Sequence, residues 1–281
     1  MRISENICKS LNKLFPLPVH PFNLQNQGVK SYAEWQFEQG HDTIRYYLDK
    51  VTMEDMFKDK VVLDIACGAG GKTLYYATYG VRKIYGLDIL EKYVDESKKL
   101  AESKGLSDRF SFVLGDAAHL PFEDNFFDAI IANDAMEHVG QPLEVLRECY
   151  RVLKPGGRLH INFAPYYHPF GMHLQDTIGF PWVQLFFSQK TLVNVYKDSV
   201  KNFSDGDERI KFRISKGKNG KEYFSYINKI TLKQFKRLLP HTDFKTFYYR
   251  EVPLRKAFAL FAKTPVIKEC FLKMVVCIFE K

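Results

Sequence analysis

Short apolar runs alternate with longer amphipathic stretches through the middle of the chain. Runs rich in β-branched residues are typical of buried strands, and they read VVLDIAC, KIYGLDIL, FSFVLGDA, FDAIIAND and RLHINFA. Between them lie stretches with the apolar spacing of helices, among them GKTLYYATYG, EKYVDESKKLAESKG and QPLEVLRECYRVLK. Because strands that alternate with helices form parallel sheets, the pattern predicts an α/β fold with helices on both faces of the sheet.

The pattern changes on either side of this series. Residues 1–57 are predicted to form an N-terminal helical cap, 58–164 the α/β core, 165–228 an aromatic-rich insertion, and 229–281 the last helix and strands. Within the cap, SYAEWQFEQGHDTIRYYLDKV is predicted to be one helix. Within the insertion, Asn219-Gly220 predicts a hairpin turn with RIKFRI and YFSYI as its strands.

Charge is distributed unevenly along the chain, whose net charge is +8. Residues 209–281 hold 18 Lys and Arg against 5 Asp and Glu, a net charge of +13, whereas the rest of the chain has a net charge of −5. This distribution favours a negatively charged partner or substrate, and a surface made soluble by lysines is the simpler alternative.

Composition disfavours several classes of protein. No apolar stretch approaches the roughly 18 residues that suggest a membrane span. Glu5 and its polar neighbours stand where a signal peptide needs an apolar run, so a cytoplasmic location is expected. The five cysteines are odd in number and include no CxxC, which disfavours a disulfide framework and an all-cysteine zinc site.

The run DIACGAGG, from Asp64 to Gly71, joins a predicted strand to a predicted helix. Glycines in such a loop let the backbone turn sharply and approach a ligand closely. A phosphate-binding P-loop would need glycine where Ala66 stands, and a dinucleotide fingerprint would need glycine where Thr73 stands. Neither alternative gives a role to the acidic Asp64 at the end of the strand.

A third interpretation does. LDIACGAG resembles the first motif of class I S-adenosylmethionine-dependent methyltransferases, in which an acidic residue precedes a GxG turn, although Ala66 stands where many members have glycine. The resemblance continues in order through GLDIL, LGDAAHLPF, the run into FDAIIAND, and VLKPGGRLHI, and so covers residues 60–165. It implies a Rossmann-like, seven-stranded, mostly parallel sheet, a small-molecule acceptor, and S-adenosyl-L-methionine as co-substrate.

The resemblance also implies which residues bind the cofactor. Asp88 would hold the ribose hydroxyls, for which a carboxylate is a suitable double acceptor, and a helix N-cap is its alternative role. Asp116 and Ala117 would contact adenine, with a solvated turn as the alternative role of Asp116. The full predicted set is Asp64, Ala66, Gly68, Gly70, Asp88, Ile89, Asp116, Ala117, Asn133, Tyr32 and Trp35.

The candidates for catalysis are His138, His168, His173 and Glu137. Methyl transfer from a sulfonium requires in-line approach of the nucleophile, and a base is needed only where the acceptor must lose a proton. His138 follows strand four in AMEHV, where packing is its alternative role. A divalent-metal site formed by the insertion histidines with Asp176 and Glu137 is a further alternative, but their spacing is not diagnostic and no metal is expected.

The predicted function is methyl transfer to oxygen or carbon of a small, apolar and anionic acceptor. Residues 168–187 are expected to form an aromatic lid over the site, with an ordinary extension of the core as the alternative. An RNA methyltransferase that uses the basic third remains a second hypothesis, although Asn133-Asp134-Ala135-Met136 lacks the prolines typical of enzymes acting on exocyclic amines of bases. A non-catalytic binding module is the third.

Overall fold

The computed structural model describes residues 3–281. Its helices, in chain order, are α1 (Ile3–Asn12), α2 (Pro21–Asn26), α3 (Tyr32–Glu38), α4 (Gly40–Ile44), α5 (Met53–Phe57), α6 (Gly71–Ala77), α7 (Tyr93–Ser103), α8 (Pro142–Val152), α9 (Val183–Phe186), α10 (Gln189–Val200), α11 (Gly206–Arg213) and α12 (Leu232–Leu238). Short 3₁₀ turns lie at Leu239–His241, Lys256–Phe258, Phe261–Lys263 and Lys268–Phe271.

The strands are β1 (Val61–Ile65), β2 (Lys83–Asp88), β3 (Phe110–Leu114), β4 (Phe127–Asn133), β5 (Leu153–Phe163), β6 (Ile214–Lys216), β7 (Glu222–Phe224), β8 (Lys245–Pro253) and β9 (Leu272–Glu280). Seven of them form one sheet in the order β3-β2-β1-β4-β5-β9-β8, and β6 pairs with β7 in a separate hairpin.

The prediction of a Rossmann-like, seven-stranded and mostly parallel sheet is confirmed. Neighbouring strands from β3 to β5 are parallel, and β9 is antiparallel to β5. Strand order reverses between β1 and β4, and in open α/β sheets ligands bind beyond the carboxyl ends of the strands at such a reversal. The loops that follow β1, β2 and β4 are therefore where a ligand site is expected.

The chain divides into two compact units. One, called here the core unit, comprises 32–164, 232–252 and 273–281 and contains most of the sheet. The other, called the basic unit, comprises the stretch that ends at Ser31, together with 165–231 and 253–272. The segment expected as a single helical cap, 1–57, is divided between them at Ser31. The insertion expected at 165–228 falls wholly within the basic unit.

Charge follows these units more closely than it follows the order of the chain. The ranges of the basic unit carry 18 Lys and Arg against 8 Asp and Glu, a net charge of +10. Those of the core unit have a net charge of −2. The expected contrast between an acidic front and a basic back is therefore a contrast between an almost neutral α/β core and a strongly basic second unit.

Two predicted elements are wrong. The run RIKFRI, predicted as a strand, is mostly the helix α11, in which Arg209 and Arg213 both reach Asp176 because residues four apart lie on one helical face. The single helix predicted in the cap is broken into α3 and α4 before Gly40. A Cβ atom on Gly40 would lie 2.3 Å from the ring of Tyr75, so the chain packs there at a distance only glycine allows.

Among residues 3–281, no helix is long and apolar enough to cross a bilayer. The five cysteines are all free thiols.

Candidate active site

The glycine-containing loop after β1 has a left-handed backbone at several positions. Ala66, Gly68 and Gly70 have φ angles of 54°, 58° and 76°. Gly68 also requires its lack of a side chain, because a Cβ atom there would lie 2.8 Å from Gln36 Nε2 and 3.3 Å from the ring of Tyr32. Alanine at position 66 is thus tolerated at a left-handed position that favours glycine, which fits the departure noted in the sequence.

Asp88 ends β2 and joins this loop to its neighbour. Its Oδ2 accepts the backbone N–H of Gly68 at 2.8 Å, and its Oδ1 accepts the backbone N–H of Leu90 at 3.0 Å. Burial, which leaves 7% of the residue exposed, raises the pKa of the carboxyl, and these backbone donors oppose that rise. Because α7 begins only at Tyr93, Asp88 is not its N-cap, and each carboxylate oxygen keeps a lone pair for a further donor.

Gln36 of α3 was not predicted as a site residue, yet it supports the loop from above. Its Nε2 donates to the carbonyl of Cys67 and its Oε1 accepts the N–H of Gly71, each at 3.3 Å. Nothing in the sequence pattern marks this glutamine, because its partners lie more than 30 residues away. Tyr32 and Trp35, which were predicted, lie on the same short helix, with their rings stacked at 6.4 Å.

Asp64 is directed into the protein rather than toward the loop's outer surface. Only 4% of it is exposed, and its Oδ2 accepts the hydroxyl of Thr73 on α6. Burial raises the pKa of Asp64 to about 7. The geometry gives this acid a positioning role, since it ties the end of β1 to the helix that follows the loop.

Asn133, at the end of β4, belongs to a buried polar network. Its Oδ1 accepts from Tyr47 at 2.6 Å and from Asn162 at 2.7 Å, and its Nδ2 donates to Tyr76 at 3.0 Å. With its side-chain amide so engaged, Asn133 would contact a cofactor mainly through its backbone. The network fixes the carboxyl ends of β4 and β5 relative to α6.

An ion pair and a buried acid follow directly after β4. Lys72, the second residue of α6, contacts Asp134 with an Nζ–Oδ2 distance of 2.8 Å. Glu137 is 5% exposed, and its pKa is raised to about 8 by burial and then by the charge of Asp134. The backbone N–H of Ala164 partly opposes this rise. Glu137 is therefore largely protonated at neutral pH, in a state suited to donating a hydrogen bond.

Replacing Glu137 with glutamine is expected to flatten the pH dependence of stability. The pKa of about 8 in the folded chain lies above the usual value of 4.5, so the folded state holds the proton more tightly than the unfolded state. The stabilisation is complete below the unfolded pKa and is lost as pH rises through 8. Denaturant unfolding across this range should show a shallower decline in Glu137→Gln, with Asp64 supplying the remaining slope of the same sign. Equal slopes in the two proteins would contradict the assignment.

The remaining predicted cofactor residues lie at the ends of β2 and β3. Ile89 is 71% exposed just after Asp88, and Ala117 is buried. Asp116 is exposed, and its Oδ1 accepts the N–H of Ala118 at 2.9 Å, which is the turn geometry weighed as its alternative role. One of its carboxylate oxygens thus remains for other partners.

The histidine candidates do not share one unit. His138 is exposed in the core unit, in the turn where Ala135 O accepts its backbone N–H at 2.9 Å. His168 and His173 belong to the basic unit. There His168 Nδ1 accepts the N–H of Phe170 at 3.1 Å, and the carbonyl of His173 accepts from Arg213 and Tyr226.

Asp176 is unsuited to the metal site considered from the sequence. It is fully buried and forms ion pairs with Arg209 at 3.2 Å and Arg213 at 3.3 Å, while Tyr196 donates to it at 2.9 Å. Charge reversal at Arg213 would therefore disturb this buried cluster, so Arg213 is not the surface cation that the basic C-terminal third suggested.

Much of the aromatic segment 168–187 packs within the basic unit. Met172, Leu174, Ile178 and Val183 are buried in one cluster with residues of α10 and with Phe224. The expectation that this segment is apolar because it covers an acceptor is thus partly replaced, since the core of its own unit accounts for much of its burial.

Comparison with known proteins supports the interpretation of the core unit. A family model described as a methyltransferase domain matches residues 63–161. Methyltransferase GfsG of Streptomyces halstedii is 40% identical over 135 residues, or 46% of this chain and 49% of that protein. The ubiquinone/menaquinone biosynthesis C-methyltransferase UbiE of Roseobacter denitrificans is 29% identical over 199 residues, or 66% of this chain and 79% of that protein.

A similar fold is found among solved structures. A structure described as a SAM-dependent methyltransferase from Methanosarcina mazei superposes with a TM-score of 0.52 at 23% identity, covering 81% of this chain and 95% of the other. At that identity the likeness concerns the fold alone. The chain spans about half the length of GfsG, so the similarity to that curated relative is concentrated in the α/β core.

Proposed function

We infer, because this chain carries a class I S-adenosylmethionine-dependent methyltransferase domain, that it transfers a methyl group to oxygen or carbon of a small, apolar and anionic acceptor. The observation that carries the proposal is the junction of Asp88 with the loop at Gly68, at the strand-order reversal of the sheet. This junction offers a buried carboxylate with free lone pairs for ribose hydroxyls. It also offers exposed backbone turns without a phosphate-cradling pattern, which suits a cofactor that has no phosphates.

The acceptor class is supported by the relatives. UbiE is named as a C-methyltransferase of ubiquinone and menaquinone biosynthesis, and the acceptors of such an enzyme are apolar. The proposal is tested by incubating the chain with S-adenosylmethionine carrying a labelled methyl group and, in parallel, lipid extracts, water-soluble metabolites and RNA. Label in an extractable small molecule is the expected result, and label in RNA alone would contradict it.

His138 is proposed as the group that removes a proton from the acceptor. It is exposed in the turn after β4, on the side of the sheet where the glycine loop also lies. With the acceptor identified as above, His138→Ala should lower turnover by about 100-fold, the low end of general-base effects. The affinity for S-adenosylhomocysteine should not change. The matched control is His241→Ala, another exposed histidine of the core unit; an equal loss in both variants would remove His138 from the mechanism.

Residues 168–187 are still proposed to respond to ligands as a lid. Hydrogen exchange should slow in this segment when both S-adenosylhomocysteine and the acceptor are present. The matched reference is α10, which is buried in the same unit and should be indifferent to ligands. If the segment's protection were also indifferent, and His173→Ala kept full turnover, the segment would have only a structural role.

An RNA methyltransferase remains the second candidate because of the charge of the basic unit. Beyond its net charge of +10, this unit contains a cavity of about 840 Å³ lined in part by Lys190, Lys216, Lys218 and Lys221. A steep salt dependence of RNA binding would favour this candidate. We also propose a cytoplasmic location, which free cysteine thiols support because they persist in reducing compartments.

A further inference from the structure

Exposed apolar side chains are concentrated in the basic unit. Of the 18 large hydrophobic residues exposed among 3–281, 14 belong to this unit, although it is the smaller of the two. Apolar residues scattered singly over a surface are ordinary, whereas a concentration of them marks a surface that another apolar phase covers. The most exposed of them are found in one loop.

This loop, called the 254–271 loop, connects β8 to β9. A hydrogen bond of 2.7 Å from Leu254 N to Phe271 O closes its base. The rings of Phe258, Phe261 and Phe271 pack together inside it at centroid distances of 5.1 to 6.4 Å. Trp182 adds a fourth ring 6.2 Å from Phe271 and donates from Nε1 to the carbonyl of Cys270. The loop is therefore a pre-formed structure with its own aromatic base.

Aliphatic side chains project from the outside of that base. Val266 is 93% exposed, Leu260 78% and Ile267 37%. Close to them in the chain lie the exposed cations Arg255, Lys256 and Lys263. The acid of the loop, Glu269, accepts the backbone N–H of Tyr167 at 3.1 Å and is thus turned to an internal contact.

We propose that the 254–271 loop docks the protein on the surface of an anionic lipid bilayer. Leu260, Val266 and Ile267 would enter the boundary between headgroups and acyl chains, and the neighbouring cations would contact lipid phosphates. Each exposed aliphatic side chain gains free energy on leaving water, and each cation gains from the negative surface potential of such a membrane. The pre-formed base keeps the ordering cost of this contact low.

The chemistry of the loop favours lipid over nucleic acid. Single-stranded nucleic acid is bound by aromatic side chains on which bases stack. Here most of the aromatic rings face one another in the base, and the most exposed positions are aliphatic. A second exposed apolar pair, Leu185 and Phe186, lies three and four residues after Trp182 and extends the same kind of surface within the basic unit.

Vesicle flotation of the full chain tests the proposal and needs no turnover, so its outcome is independent of the proposed function. The vesicles are phosphatidylcholine alone and phosphatidylcholine mixed with phosphatidylglycerol. The protein should float with the mixed vesicles, and less so as salt is added. Leu260→Ser with Val266→Ser, and separately Arg255→Gln with Lys256→Gln and Lys263→Gln, should each lower the partition coefficient by roughly tenfold or more.

Matched control variants lie in the core unit. Leu48→Ser, at an exposed aliphatic residue, and Lys58→Gln with Lys98→Gln and Lys99→Gln, at exposed lysines, should float as the unaltered protein does. Circular dichroism should show that all variants are folded, since the replaced side chains are exposed. Absence of flotation, or flotation unaffected by the loop variants, would overturn the proposal. So would a dimer in solution that the loop variants dissociate, because a second copy would then cover the loop.

Discussion

Replacing Asp88 with alanine is expected to weaken binding of S-adenosylhomocysteine by about 2–4 kcal/mol, or roughly 30- to 700-fold in dissociation constant. Two effects add in this variant. The carboxylate proposed to accept from both ribose hydroxyls is lost, and the loop at Gly68 loses the acceptor that holds it at 2.8 Å. Isothermal titration calorimetry on the folded variant measures the change.

Two further variants separate these effects. Asp88→Asn keeps one oxygen acceptor, so it should fall between the unaltered protein and the alanine variant. Asp108→Ala, at an exposed aspartate just before β3 at the opposite end of that strand, should leave the affinity unchanged. An unaltered dissociation constant in Asp88→Ala would place the cofactor elsewhere than at the end of β2.

The largest expected loss of stability comes from the other unit. Asp176→Ala should lower the free energy of unfolding by about 3–5 kcal/mol, because it leaves two buried guanidinium groups without their shared carboxylate. Arg209 and Arg213 are 3% and 2% exposed, and both form ion pairs with Asp176. Equilibrium unfolding in urea, followed by circular dichroism, measures this loss.

The matched control is an exposed aspartate with two cationic neighbours. Asp198 contacts Lys9 and Lys201, and its side chain is 42% exposed. Since solvent screens such pairs, Asp198→Ala should cost no more than about 1 kcal/mol. If Asp176→Ala were as mild as this control, the two arginines would have other partners sufficient to keep them buried. Leucine in place of both arginines and the acid would then be the next variant to compare.

The α/β core was predictable because its signals are local. Each strand is a short apolar run, each helix has its own periodicity, and the loop from Asp64 to Gly71 sits between a strand and a helix that adjoin in sequence. Asp88 could be placed at the end of β2 for the same reason, since one βαβ step separates it from Asp64. Short-range pattern and chain order are sufficient for these features.

The predictions that were wrong concern segments whose structure depends on distant partners. RIKFRI has the alternating pattern of a strand, but the helical form lets Arg209 and Arg213 share one buried acid more than 30 residues away. Arg213 was interpreted as a surface cation because sequence shows its charge and not its burial.

The sequence by itself determined the sheet, the glycine loop, the carboxylate at the end of β2 and the excess of positive charge. Tertiary structure alone decided that Gln36 supports the loop, that Asn133 uses its amide internally, and that the chain packs as an almost neutral unit and a basic one. It also decided which apolar residues remain exposed in the 254–271 loop. The physical reason is range: periodicity within an element is encoded by neighbouring residues. Burial, by contrast, depends on which surfaces meet after the whole chain has folded.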